Sequence, residues 1–281
     1  MLTRIVVSLI LAPLFLAVLL FAPVGIVAFM VSGIVSIAAF ELLRAVGAEK
    51  NRFVCGAVLV AAALIPQCYW LQVDAWAVKL VLLCLLFALF LDAVLTYGTE
   101  KAVQAEQILF GLFGGVLYPV LMSSLVQLRM LRAGGREPYG AFFVLMPIVA
   151  AFLTDTGAYF FGMFLGKHRG IVPVSPKKSV EGFAGGLLSG VSFMALYGFV
   201  LNHFFALDAN LIIMAFYGLV GAVVTMLGDL SFSLIKRQFG IKDYGSLLPG
   251  HGGMLDRVDS LSLIAPFIYY MLTVISQNIF Y

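Results

Sequence analysis

Charge is what this sequence has least of. Asp, Glu, Lys and Arg make up 11% of its 281 residues, and 63% are hydrophobic, whereas about a quarter of a soluble domain is charged. So little charge cannot cover a water-facing surface, which excludes a soluble globular enzyme and implies an integral membrane protein. Cysteine is scarce as well: Cys55, Cys68 and Cys84 stand in or beside apolar runs, with no CxxC and no histidine near them. This argues against a disulfide framework or a zinc site and for small core side chains. Long polar segments are also missing. None exceeds about twenty residues, too few to build a core of its own, so any chemistry belongs in the membrane bundle or at its rim. The short alternating runs of a membrane β-barrel are absent too.

What the chain has is apolar runs of crossing length. Nine fall at about 5–22, 24–44, 53–72, 76–97, 106–127, 140–163, 182–203, 209–235 and 260–279. Each is close to the roughly 20 residues that a helix needs to cross a hydrocarbon core. The expected fold is all-α, a polytopic helical membrane protein of about nine transmembrane helices. The first run follows Arg4, but no small-residue cleavage site precedes Pro23, so it is expected to stay as a helix. With the N-terminus in the cytoplasm, thirteen of the seventeen Lys and Arg fall on that side, leaving Lys79, Arg129, Arg132 and Arg136 on the other. This bias supports a cytoplasmic N-terminus, in a cell inner (plasma) membrane, and puts the polar loops 164–181 and 236–259 on the cytoplasmic face. Residues 1–135, poor in internal charge, read as scaffold helices. Residues 136–281 read as the region that carries chemistry.

Asp155 lies about nine residues before the end of the sixth run, roughly 14 Å deep at 1.5 Å per residue. A carboxylate at such depth is by default a functional candidate, with a structural pairing to another helix as the plainer alternative. Tyr159 follows at i+4 on the same face. The next loop holds Lys167, Ser175, Lys177, Lys178, Ser179 and Glu181. It imitates a phosphate-binding P-loop and fails, with the wrong glycine spacing, His168 in place of Ser or Thr, and no strand before it. Ser179 or a neighbour is nevertheless placed to cap the seventh helix, and lysines beside a helix N-terminus suit phosphate oxygens. Asp229 is the second deep carboxylate, with Ser233 at i+4. Asp92 is a third and ranks lower, with no polar neighbour in sequence.

The densest polar stretch runs from Ser233 to Ser260. It holds Lys236, Arg237, Lys242, Asp243, His251, Asp256, Arg257 and Asp259, among five glycines that include Gly252 and Gly253. Glycines let backbone N–H groups approach a ligand closely. Asp256 and Asp259, at i and i+3, share a helix face, and two hard oxygen ligands beside cations suit Mg²⁺ held jointly with a polyphosphate. Together these features point to a phosphorylated lipid meeting a nucleoside triphosphate.

Ser233-Leu-Ile-Lys236-Arg237, Lys242-Asp243-x-Gly245 and Leu248-Pro249-Gly250-His251-Gly252-Gly253-Met-Leu-Asp256-Arg257-Val-Asp259 resemble, at every polar position, the signature of the phosphatidate cytidylyltransferases, the CDP-diglyceride synthases. Asp155-Thr-x-Ala158-Tyr159-xx-Gly162-xxx-Gly166-Lys167-His168 and Ser175-Pro176-Lys177-Lys178-Ser179-x-Glu181-Gly182 resemble that family's upstream block. The resemblance covers about the last 130 residues. It implies that CTP and phosphatidic acid give CDP-diacylglycerol and pyrophosphate with Mg²⁺, in phospholipid biosynthesis, a second cation being left open. It further implies metal ligation by Asp229, Asp256 and Asp259, with Asp155 and Asp243 as lesser candidates. Lys236, Arg237, Lys242, His251 and Arg257 would contact triphosphate or lipid phosphate, and Lys167, Ser175, Lys177, Lys178 and Ser179 would form a facing wall.

Membrane lipid is an expected partner, nucleic acid is not, and a homodimer is left open by the GxxxG pairs Gly111/Gly115, Gly182/Gly186 and Gly186/Gly190. The rival readings are another CTP-dependent lipid enzyme, such as a polyprenol kinase or a CDP-archaeol-type synthase, and a cation-coupled transporter. A kinase would release CDP, and a transporter has no need of the His251-Gly252-Gly253 loop.

Overall fold

The computed structural model describes residues 2–99, 102–131, 139–170, 172–205, 207–247 and 252–275, without the side chains of 2–10 and 275. These residues form α1 (Leu2–Phe21), α2 (Val24–Ala45), α3 (Arg52–Trp70), α4 (Asp74–Thr96), α5 (Ala105–Leu112), α6 (Tyr118–Met122), α7 (Ser124–Met130), α8 (Gly140–Phe164), α9 (Val180–Phe205), α10 (Leu211–Gln238) and α11 (Leu255–Tyr270). There is no strand among them. The all-helical reading therefore stands. Among the described residues seven segments are long and apolar enough to cross a membrane, the stretch Ala105–Met130 counting as one. The first and last expected spans correspond to α1 and to α11 with its π-helical continuation Met271–Ile275.

The fifth expected span is interrupted. A π-turn covers Phe113–Leu117, and α6 begins with Pro119 in its first turn. Proline has no N–H to give the preceding turn and its ring crowds the carbonyl there, so a regular helix yields at this point.

The chain divides into two compact units. The first is Met1–Met130 with Gln238–Val258, in which the described part of the glycine-rich loop packs with the N-terminal helices. In this unit Gly111 and Gly115 let α5 and the π-turn approach α3 and α4. A Cβ on Gly115 would lie 2.6 Å from Leu85 Cδ2 and 3.4 Å from Val58 Cγ1. Asn51 caps α3 by accepting the amides of Phe53 and Val54, and its Nδ2 donates to Asp92 at 2.5 Å. Asp92 thereby has a structural partner. Arg129 donates to the carbonyls of Leu19, Leu20 and Ala22 at the end of α1, groups that helix geometry leaves without acceptor duty.

The second unit is Leu131–Arg237 with Asp259–Tyr281. Here α8, α9 and α10 touch along small residues. A Cβ on Gly190 of α9 would meet Thr154 Oγ1 and Ala222 Cβ at 2.8 Å and the Gly218 carbonyl at 2.9 Å. Glycines at such crossings let backbones approach where a side chain would hold them apart. The pairs Gly111/Gly115 and Gly186/Gly190 thus serve packing within the chain.

Candidate active site

In the second unit three aspartates from three helices share one neighbourhood. Asp155 of α8 has Asp229 of α10, Asp259 and Ser260 of α11 and Lys178 within electrostatic reach. Lys178 makes an ion pair with Asp229, and both side chains are 29% accessible. The same ammonium lies 5.7 Å from the ring centre of Phe183. Asp259 is buried, and its Oδ1 accepts the amide of Ser260 at 2.7 Å. At Ser260 the helix that carries Asp259 can pass close to α10 because Gly228 has no side chain: a Cβ there would lie 3.2 Å from Ser260 Cα. Asp155 itself is exposed. Among the described residues, three carboxylates and the Lys178 ammonium thus share a partly accessible cluster of charge.

The loop before α9 is folded back on that helix. Ser179, almost fully buried, accepts the Gly182 amide at 3.1 Å and caps α9, as its position in the sequence leads one to expect. Glu181 accepts the amides of Lys167 and His168 at 3.2 Å, and His168 Nδ1 lies 2.6 Å from its Oε1. Arg169 pairs with Ser179 in an isolated bridge, and its guanidinium donates to the Gly162 carbonyl. Fixing both ends of the loop presents Lys178 toward Asp229 and leaves Lys167 and Lys177 exposed and Ser175 half-buried. Tyr159 is 64% exposed and rests edge-on against Phe160. Lys236 and Arg237 stand in the last turn of α10, with Ser233 half-buried before them.

In the first unit the glycine-rich loop is organised by two acids. Asp256 Oδ2 accepts the amides of Tyr244 at 2.9 Å and Gly253 at 3.0 Å. Glu41 of α2, 4% exposed, accepts the amide of Met254 at 2.9 Å with Oε1 and that of Leu255 at 2.8 Å with Oε2. Gly252 has φ +86°, a backbone region that favours glycine. Gly253 leaves room for a carboxylate, since a Cβ there would fall 2.5 Å from Glu41 Oε2. Lys242, Asp243 and Arg257 are exposed. His251, with Leu248, Pro249 and Gly250, lies outside the described residues. The structure thus gathers Asp155, Asp229, Asp259 and Lys178 in one unit, and Asp256 with Gly252 and Gly253 in the other.

Two residues escaped the sequence reading. Ser260 carries no signal beyond its place after Asp259. Glu41 had one: it is an acid inside an apolar run, the same anomaly that marks Asp155.

The model of the cytidylyltransferase family matches residues 2–275. The chain belongs to the cytidylyltransferase family. This cytidylyltransferase is 31% identical over 247 residues, 86% of either chain, to the phosphatidate cytidylyltransferase of Bacillus subtilis strain 168. It is 41% identical over 133 residues to the enzyme of that name from Staphylococcus epidermidis, and 39% to that of Staphylococcus aureus strain COL. These two alignments cover 47% of this chain and half of each relative. The protein is a nucleotidyltransferase, with the helices of a multi-pass membrane protein.

No three His, Cys, Asp or Glu side chains among the described residues gather to hold a metal ion by themselves. Mg²⁺, however, commonly takes one or two carboxylates and completes its shell with water and substrate phosphate. Asp229 and Asp259, each within electrostatic reach of Asp155, are hard oxygen donors of the type such a site uses. Asp256, the other expected ligand, has its Oδ2 engaged by two amides of its own loop.

Proposed function

We propose that this protein is a phosphatidate cytidylyltransferase, converting CTP and phosphatidic acid to CDP-diacylglycerol and pyrophosphate at the cytoplasmic face of the plasma membrane, as a step in phospholipid biosynthesis. The observation that carries the reading is the kinship along 247 residues with the Bacillus subtilis enzyme of that name. The cluster of Asp155, Asp229, Asp259 and Lys178 supports it, because it supplies the kind of chemistry that nucleotidyl transfer requires.

A phosphate monoester is already an anionic oxygen nucleophile near neutral pH, so no side chain has to take a proton from it. A lipid phosphate oxygen attacks the α-phosphorus of CTP. The bond from that phosphorus to the bridging oxygen breaks, and pyrophosphate leaves with the electron pair. What remains for the protein is to hold two anions together and offset the charge that develops between them. Lys178, half-covered by Phe183 and Asp229, keeps its ammonium in a fixed place for a phosphoryl oxygen. Lys236, Arg237, Lys242, His251 and Arg257 would add contacts to the triphosphate or the lipid phosphate, and Lys167, Ser175 and Lys177 would add polar and basic groups from the loop before α9. Asp229 and Asp259 would hold Mg²⁺, which when bound neutralises charge on the α-phosphate and the leaving pyrophosphate. Asp155 would keep a third carboxylate beside them.

The test uses purified protein in detergent with labelled CTP, phosphatidic acid and Mg²⁺. A CDP-lipid should form with equimolar pyrophosphate. No product with phosphatidic acid would overturn the reading, and release of CDP would make the protein a kinase.

A further inference from the structure

Glu41 stands far in sequence from every residue that the sequence marks for chemistry, in a helix that reads as scaffold. Yet it is almost fully buried, and the structure spends both its carboxylate oxygens on the segment that enters α11. Oε1 accepts the Met254 amide at 2.9 Å and Oε2 the Leu255 amide at 2.8 Å. These are N–H groups at a helix start, which have no acceptor within the helix, and a carboxylate there also meets the positive end of the helix dipole. The fit is made from both sides. Gly245 and Gly253 each pass so close that a Cβ would run into the Glu41 carboxylate. One residue after Leu255, Asp256 closes the same loop by accepting the amides of Tyr244 and Gly253. Two acids therefore cinch one loop, one from within it and one from a helix 213 residues earlier.

We infer that Glu41 is a positioning residue of the nucleotidyl-transfer site: by holding the Met254 and Leu255 amides, it sets the direction of the first turn of α11 and the course of the segments 241–247 and 252–258, which bear Lys242, Asp243 and Arg257. This rests on the function proposed above. It assigns a task to the N-terminal helices that packing alone does not. The requirement is for a charged, bidentate acceptor. Glutamine offers one acceptor oxygen and sets an NH₂ donor against the second amide. Aspartate keeps the charge and is one methylene short.

The experiment compares full-length wild type, Glu41→Gln and Glu41→Asp, purified in detergent. CDP-lipid formation is measured per folded molecule, and backbone amide hydrogen exchange is followed by mass spectrometry. Glu41→Gln should lower kcat by about 10- to 100-fold, the range that misplacement of a reacting group produces. Glu41→Asp should fall between the two. Exchange in Glu41→Gln should rise in peptides covering 241–258 and stay at the wild-type level in α3, α4 and α9. A kcat within twofold of wild type would overturn the inference. So would faster exchange spread evenly over the chain, which is the mark of a merely structural residue. Wild type that makes no CDP-lipid would instead remove the proposed function, while the exchange pattern would still decide whether Glu41 holds the loop.

Discussion

Lys178 and Asp229 meet across 51 residues of sequence, and neither is closed off from solvent, so their pairing is not simply a way to hide two charges. If the ion pair serves turnover, each partner acts through the same arrangement, and removing either should cost about 10²- to 10³-fold in the rate of CDP-lipid formation, as loss of a preorganised charge does at other sites. Lys178→Ala and Asp229→Asn should each show this loss, and the double variant should be no slower than the slower single one, because groups that act as a unit are not additive. Rates that multiply in the double variant would show that the two act separately. At this scale the sequence is a partial guide. The anomaly of a charge in an apolar run singles out Asp155 and Asp229. Pairing does not show, since nothing in the sequence connects Asn51 with Asp92 or Lys178 with Asp229.

Among helices, close approach decides stability. Gly218 of α10 faces the Gly190 carbonyl, and a Cβ on it would also lie 2.8 Å from Met194 Cβ. Backbone cannot move aside as a flexible side chain can, so Gly218→Ala should destabilise the protein by about 1–3 kcal/mol through overpacking. Gly33 of α2 is the opposite case. It is exposed, and a Cβ would meet nothing within 4 Å, so Gly33→Ala should stabilise the helix by roughly 0.5–1 kcal/mol. Melting temperatures in one detergent should move in opposite directions for the two variants. Element boundaries are well read from hydropathy, within a few residues for α2, α3, α8 and α9, because crossing length and apolarity are local properties. The break at Phe113–Leu117 is less legible: Gly114, Gly115 and Pro119 are visible in the run, while the geometry they produce depends on Leu85 and Val58 in other helices.

For the molecule as a whole, the basic residues predict which side of the membrane each loop meets. In a background without Cys55, Cys68 and Cys84, an impermeant maleimide applied to spheroplasts should label Leu71→Cys, at the end of α3. It should leave Lys177→Cys and Lys242→Cys unlabelled until the membrane is permeabilised. The reverse pattern would invert the topology. Least legible in the sequence is the tie from Glu41 to Met254, which spans 213 residues. That tie also has a consequence in time. At 5–20 residues per second, about 10–40 s separate the synthesis of Glu41 from that of Met254. For that interval α2 carries a carboxylate whose two final donors do not yet exist. Its place four residues from the end of α2 keeps it near the aqueous interface while it waits. Arrival of the loop then converts a newly inserted helix with an unsatisfied acid into a closed unit, so the last of the glycine-rich segment to leave the ribosome is also what completes the first helices made.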